Sequence, residues 1–327
     1  MMPYSSYVSI CCDKVKAAQE YIEDTYLATL IRMQLVVCKI LTVLPAPDAG
    51  GSGATTFTAA AHMAMATLRA ELENLREQTP KNIQENRTYT PNYYGLAWFA
   101  DMNLIVSFDI AFKCILARLY EPVIHMASLP ASSLDGIRKA EAMWCCLEAV
   151  KAAFEAYASY PVAELSYLPF DTYCHLKFSL LTATRLIVIQ DPYWNNKLAS
   201  ESLDFAAVTQ RLGDRCAEAD SVAIAEEWRR KRKYVNENLS VISMQREKLR
   251  WIRSFYLSKH AASNATSIGN QPSTDDPTSH SQGQTTTAIN MASNPGALAY
   301  AEALSPVSGL GDEWWQAMLD DMSFFQP

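Results

Sequence analysis

The chain has 327 residues, 49% of them hydrophobic, and carries 28 basic against 35 acidic side chains for a net charge of −7. That apolar share belongs to folded chains, and the length allows one or two domains around a sizeable core. The sign of the charge excludes a globally basic nucleic-acid-binding protein, and the 11 glycines form neither G-x-G-x-x-G nor G-x-x-x-x-G-K-[ST], which removes the usual phosphate-cradling loops.

In chain order, residues 12–44 read as one helix, with Val15, Ala18, Ile22, Tyr26, Thr29 and Met33 recurring at three and four residues. Pro45 and the Gly/Ser-rich stretch behind it end that helix in a loop. A second helix is predicted over about 56–78, with Met65, Leu68, Leu72 and Leu75 on one face, and Pro80 and Pro91 bracket a polar connection. Residues 94–120 are mostly apolar and predict a central, buried helix. Its Asp101, Asn103, Asp109 and Lys113 then need partners or a route to solvent.

Ser132 and Ser133 precede a helix running to about Tyr160, where a hydroxyl can accept the free N–H groups of the first turn. Its apolar face is Ile137, Ala140, Trp144, Leu147, Phe154 and Tyr157, and Lys151 interrupts it by snorkelling. Pro169 opens a helix over about 170–189, which Asp191-Pro192 ends. A helix over about 200–216 follows, then a long charge-rich helix or helix pair over 218–259, with Val222, Ala225, Trp228, Leu249, Ile252, Phe255 and Tyr256 as its apolar contacts. No alternation with a turn pair signals a β-hairpin. The expected class is all-α, with about seven helices by this periodicity.

Composition shifts after Lys259. Residues 260–308 are rich in Ser, Thr, Asn, Gln, Gly and Pro and bury too little to offset their ordering entropy, so a disordered linker is expected. Residues 309–327 turn acidic and aromatic. The predicted organisation is a helical domain over 1–259, a polar linker over 260–308 and a short C-terminal amphipathic helix within 309–327. No Lys or Arg follows Lys259, while Asp275, Asp276, Glu302, Asp312, Glu313, Asp320 and Asp321 do. The net charge therefore belongs to the tail, and residues 1–259 are balanced.

The longest apolar runs, Leu35–Leu44 and Leu180–Ile189, are broken by Lys39 and Arg185 and are too short to cross a bilayer. With no charged n-region and apolar h-region at the N-terminus, neither a signal peptide nor a membrane partner is expected. The eight cysteines, Cys11, Cys12, Cys38, Cys114, Cys145, Cys146, Cys174 and Cys216, show no C-x-x-C or zinc-ligand spacing. They read as buried small hydrophobes of a reduced compartment. Of the histidines, His62, His125, His175, His260 and His280, none stands in H-E-x-x-H, and no G-x-S-x-G elbow is present. An enzyme is not expected.

Two segments carry functional signals. Arg229, Arg230, Lys231, Arg232 and Lys233 repel one another and must meet solvent or an anionic partner. They read as a nuclear import signal or phosphate-contacting patch, or as a solvated helix face partly neutralised by Glu226, Glu227 and Glu237. The second segment is Asp312, Glu313, Trp314, Trp315, Met318, Leu319, Asp320, Asp321, Met322, Phe324 and Phe325. As a helix it places Trp315, Met318, Leu319 and Met322 on one face, with Asp312 and Glu313 favourably in the first turn. A helix of about a dozen residues is marginal alone and folds on a partner groove, in the manner of transactivation segments, or docks on the chain's own core.

Several segments together resemble the regulatory, or middle homology, domain of fungal zinc binuclear-cluster transcription factors. Leu119-Tyr120-Glu121-Pro122, within Cys114–His125, is similar to the family's L-Y-E signature at the end of a central helix. A helix with Cys146–Lys151 follows, then Leu168-Pro-Phe170 and the helix Tyr173–Ile189, and Asp191-Pro192-Tyr193-Trp194 resembles the family's P-G-W-D turn, with Asn195 where the family often has Asp. The resemblance covers roughly residues 10–260. It implies an all-helical, signal-responsive domain in a nuclear activator that restrains an acidic activation tail and engages coactivator machinery. The six-cysteine cluster that holds two zinc ions and contacts DNA in the family is absent from these 327 residues. No cofactor is expected in this chain, with zinc reserved for such a domain, and DNA is expected to be reached by way of a DNA-binding partner or a homodimer, or in a longer form of the chain. The other reading is an all-α small-molecule-binding or metabolic protein whose apolar pocket is lined by Tyr93, Tyr94, Trp98, Met102 and Trp144, aromatics that at this spacing also suit a plain core.

Overall fold

A computed structural model describes residues 6–18, 22–44, 56–79, 97–127, 134–168, 170–225 and 241–268. In chain order these form α1 (Ser6–Ala18), α2 (Ile22–Val43), α3 (Ala59–Glu77), α4 (Ala97–Tyr120), α5 (Pro122–His125), α6 (Leu134–Ala158), a 3-10 turn (Val162–Tyr167), α7 (Phe170–Val188), α8 (Asn196–Ser202), α9 (Phe205–Ala225) and α10 (Val241–Ile268). The fold is all-α. Among the described residues there is no strand, and a lone bridge ties Thr56 to Ala127.

The apolar α4 is the hub. It packs on α6, α7, α2 and α3, and its Phe108, Ile115 and Leu119 are buried. Of the polar groups expected to need partners, Asp109 and Lys113 pair with each other at 2.6 Å one turn apart, and the side chains of Asp101 and Asn103 lie outside those described. Thr58 caps α3 by accepting the Ala61 N–H, and Met65, Leu68 and Leu72 form its buried face. On α6, Met143, Leu147, Phe154 and Tyr157 are buried, whereas Ile137 is exposed. Lys151 reaches past its apolar face to Glu148 and Ser202. α9 and α10 form an antechamber to this body: α10 lies along α9, Phe205 meets Tyr256 edge-on at 5.1 Å, and Ser243 donates to Asp220.

The single helix expected over 12–44 is two helices. α1 lies against α2 and its Asp13 pairs with Arg32, so Cys12 is buried and Val15 is exposed. The helix expected at 200–216 is α8 and α9, capped by the carboxamide of Asn195 and the carboxylate of Asp204, which accept from Leu198 and Ala207. α10 continues through 260–268, into the stretch expected to be linker. α2 also changes the membrane reading: over Asp24–Val43 it is long and apolar enough to cross a membrane by length and composition, although its Met33, Val36, Val37 and Ile40 are buried in the core. The helix begins well before the expected run Leu35–Leu44 and carries the apolar segment on past Lys39, which broke that run in the linear sequence.

Candidate functional site

Pro122 has no N–H to give the preceding helix and is pre-set for the first turn of the next, so α4 ends at Tyr120 and α5 begins. Glu121 sits at the joint: its N–H still donates to the Ala117 carbonyl at 2.9 Å, closing the α4 ladder, and the same residue caps α5. Leu119 stays in the core, and the Tyr120 hydroxyl accepts a 3.2 Å hydrogen bond from Arg69 of α3. Burial, reinforced by Cys145, raises the Tyr120 phenol above its ordinary range.

Glu121 is the centre of a polar cluster. One of its oxygens lies 2.5 Å from the Arg185 guanidinium of α7 and 3.2 Å from His125 Nε2, one turn along. Burial by itself would raise the Glu121 carboxyl, but the hydrogen bond with His125 and the charges of Arg185, His125 and Arg118 outweigh it and hold the group below its ordinary value. Arg185 is 4% exposed, and burial pulls it down against the opposing pull of Glu121.

A second buried pair stands beside the first. Lys139 of α6 donates to the Met126 carbonyl and to Asp191, both at 2.6 Å. Asp191 also accepts the Tyr193 N–H at its other oxygen, and the Trp194 N–H closes the turn on the Asp191 carbonyl. The turn grips the body through its last two side chains. Tyr193 lies over Gly136, where a Cβ would fall 2.4 Å from its ring. Trp194 is buried, donates to the Leu186 carbonyl at 2.7 Å, and sits 4.9 Å from Trp144.

Leu119–Pro122 and Trp194 thus converge on one junction among α4, α5, α6 and α7. Its charged groups hydrogen-bond one another, an arrangement that fixes helix ends and loops. Asp191 and His125 stood in the segments likened to family signatures, whereas Arg69, Lys139 and Arg185 were not singled out for the junction in the sequence. Arg185 carried the available signal, a charge inside an apolar run, whereas Lys139, set between Arg138 and Glu141, carried none.

Of the other predicted sites, Arg229, Arg230, Lys231, Arg232 and Lys233 lie outside the described residues, as do Asp312 to Phe325 and Tyr93 and Tyr94. Trp98 and Met102 are on α4, whose side chains are described from Phe108 onward, and Trp144 packs on Trp194. The eight cysteines are spread over α1, α2, α4, α6, α7 and α9. Cys114 donates to the His175 carbonyl and Cys146 to the Ala117 carbonyl, so these thiols serve helix packing. Cys174 departs from the expected burial and is exposed. Among the described residues no three His, Cys, Asp or Glu side chains are placed to hold a metal ion, and the cysteines do not fit a binuclear zinc cluster.

No family model, curated protein or solved structure matches this chain.

One open cleft of about 710 Å³ lies between the end of α6, the start of α9 and α10. Arg211 on its wall pairs with Glu155, while Arg215 donates to the Tyr160 carbonyl and Arg253 to the Ala206 carbonyl.

Proposed function

We propose that this chain is a transcriptional regulator of the fungal zinc-cluster type, in which the helical body is a signal-responsive regulatory domain and the acidic aromatic tail is the activation segment. What supports the reading is the junction: the two segments that resemble family signatures, far apart in the chain, both attach to the end of α7, Glu121 through the Arg185 guanidinium and Trp194 through the Leu186 carbonyl. In this reading Asp312 to Phe325 engage coactivator machinery through Trp314, Trp315, Leu319 and Phe324. Arg229–Lys233 direct the chain to the nucleus. DNA is reached through a DNA-bound partner, no cofactor is required in this chain, and no reaction is catalysed.

Fusing residues 300–327 to an unrelated DNA-binding domain tests the tail. The fusion should drive a reporter well above a version with all four anchors changed to Ala; equal output sinks the activation role. Replacing Arg229–Lys233 by Ala should move a fluorescent fusion to the cytoplasm, and unchanged nuclear accumulation removes the import role.

The cleft favours a second reading, a small-molecule-binding all-α protein. Its volume is within the range of ligand sites, and Arg215 and Arg253 are held by carbonyls rather than carboxylates. The lining sets Arg211, Arg215 and Arg253 among Glu155, Asp204, Asp214 and Glu218, which suits a zwitterion, so a panel of amino acids should raise the melting temperature of the wild-type chain and fail to do so with Arg253→Ala.

A further inference from the structure

Helix α2 has packed neighbours on three sides. Met33, Val36, Val37 and Ile40 enter the core, Tyr26 meets Phe108 of α4 at 6.3 Å, Lys39 pairs with Glu71 of α3 at 2.6 Å, and Arg32 pairs with Asp13 of α1. The remaining side carries Leu27, Ile31, Gln34, Cys38 and Leu41, successively four, three, four and three residues apart. Leu27 and Leu41 are 53% and 52% exposed, Gln34 is exposed, and Ile31 and Cys38 are half-buried. This stripe carries no charge. Arg32 lies two residues from Gln34, which on a helix puts it on the opposite side.

We propose that this stripe is the seam of a parallel homodimer. Alternating steps of four and three give the 3.5-residue repeat that keeps one stripe facing a second helix. Ile31 takes the a position and Leu27 and Leu41 the d positions, the assignment that favours two parallel strands. Gln34 identifies the partner. In a parallel pair it lies opposite its own copy, and a carboxamide both donates and accepts, so two of them satisfy each other. Against an unrelated apolar helix or lipid chains the same amide would be buried unpaired, which costs about 1–3 kcal/mol.

Two heptads are too few for a free coiled coil, but α2 is already ordered by the core, so little ordering entropy remains to be lost on pairing. A seam of this length buries on the order of 1,000 Å² in total, the lower bound of specific interfaces, where transient associations lie. The inference stands apart from the transcriptional reading.

Sedimentation velocity of the full chain up to about 200 µM should show a reversible monomer–dimer equilibrium. Leu27→Lys with Leu41→Lys should weaken it more than about tenfold with helical circular dichroism unchanged, since both side chains are exposed. In a Cys38→Ser, Cys174→Ser background, Leu27→Cys should link to itself on mild oxidation. A chain that stays monomeric, a dimer indifferent to the lysines, a Leu27→Cys that links only to Leu41→Cys as antiparallel pairing requires, or a monomer that floats with phosphatidylcholine vesicles would each overturn the proposal.

Discussion

Lys139 and Asp191, 52 residues apart in the chain, form a 2.6 Å ion pair whose side chains are 3% and 5% exposed. Lys139 spends a second proton on the Met126 carbonyl, so one ammonium fastens both the loop after α5 and the turn after α7 to α6.

Breaking this pair from one side leaves the other charge buried and uncompensated. Asp191→Ala or Lys139→Met should each cost about 3–5 kcal/mol. The double variant should cost clearly less than their sum, because it leaves no orphaned charge. Urea unfolding of the four proteins measures the coupling, and additive costs would mean that the pair contributes nothing beyond its separate contacts.

Gly136→Ala should destabilise by about 1–3 kcal/mol, the usual cost of overpacking, since the new methyl would meet the Tyr193 ring at 2.4–2.8 Å. Adding Tyr193→Ala should remove most of that specific penalty. Thermal melts of the single and double variants check it, and a Gly136→Ala penalty that persists unchanged in the Tyr193→Ala background would assign the cost to helix α6 instead.

Trp194→Phe keeps a ring against Trp144 but deletes the donor to Leu186, which leaves a buried carbonyl short of one bond and should cost about 1–3 kcal/mol. Trp194→Ala also empties the site and should cost about 3–5 kcal/mol. Near-ultraviolet circular dichroism should lose the coupled Trp144–Trp194 signal in both.

His175 gives the fold an acid weakness. It is buried, its Nδ1 has no hydrogen-bond partner, and burial, with a contribution from Arg118 and against the pull of Asp171, holds it below its ordinary value of 6.5. The unfolded chain therefore takes up a proton that the folded chain refuses. Its stabilisation is complete above pH 6.5 and is lost as pH falls from there toward the depressed folded value. His175→Gln should flatten the stability profile in that window relative to wild type, as read from urea midpoints at stepped pH.

The helices were legible where one apolar face persists, as in α3 and α7. The α1–α2 break was not, because Ala17, Ala18, Gln19 and Glu20 are good helix formers and contain no Gly or Pro. The turn back depends on α1 packing along α2, a tertiary contact. The caps at Asn195 and Asp204 were present in the sequence but overshadowed by continuous periodicity around them. The junction was half legible: Leu119–Pro122 and Trp194 stood out as local patterns. Arg185 and Lys139 could not be matched to Glu121 and Asp191, since pairings across 64 and 52 residues leave no local trace.

The buried thiols give this fold a built-in record of how it opens. Cys114 on α4 and Cys216 on α9 are pushed up to about 11 and about 12 by burial, so neither reacts from the closed state, and Cys146 on α6 is raised as well. Exposed Cys174 should label first and sets the zero of time. If Cys216 then labels ahead of Cys114 and Cys146, the α9–α10 pair breathes as its own unit. If all three react together, the helices come apart in a single step, and the body has one cooperative lifetime rather than two.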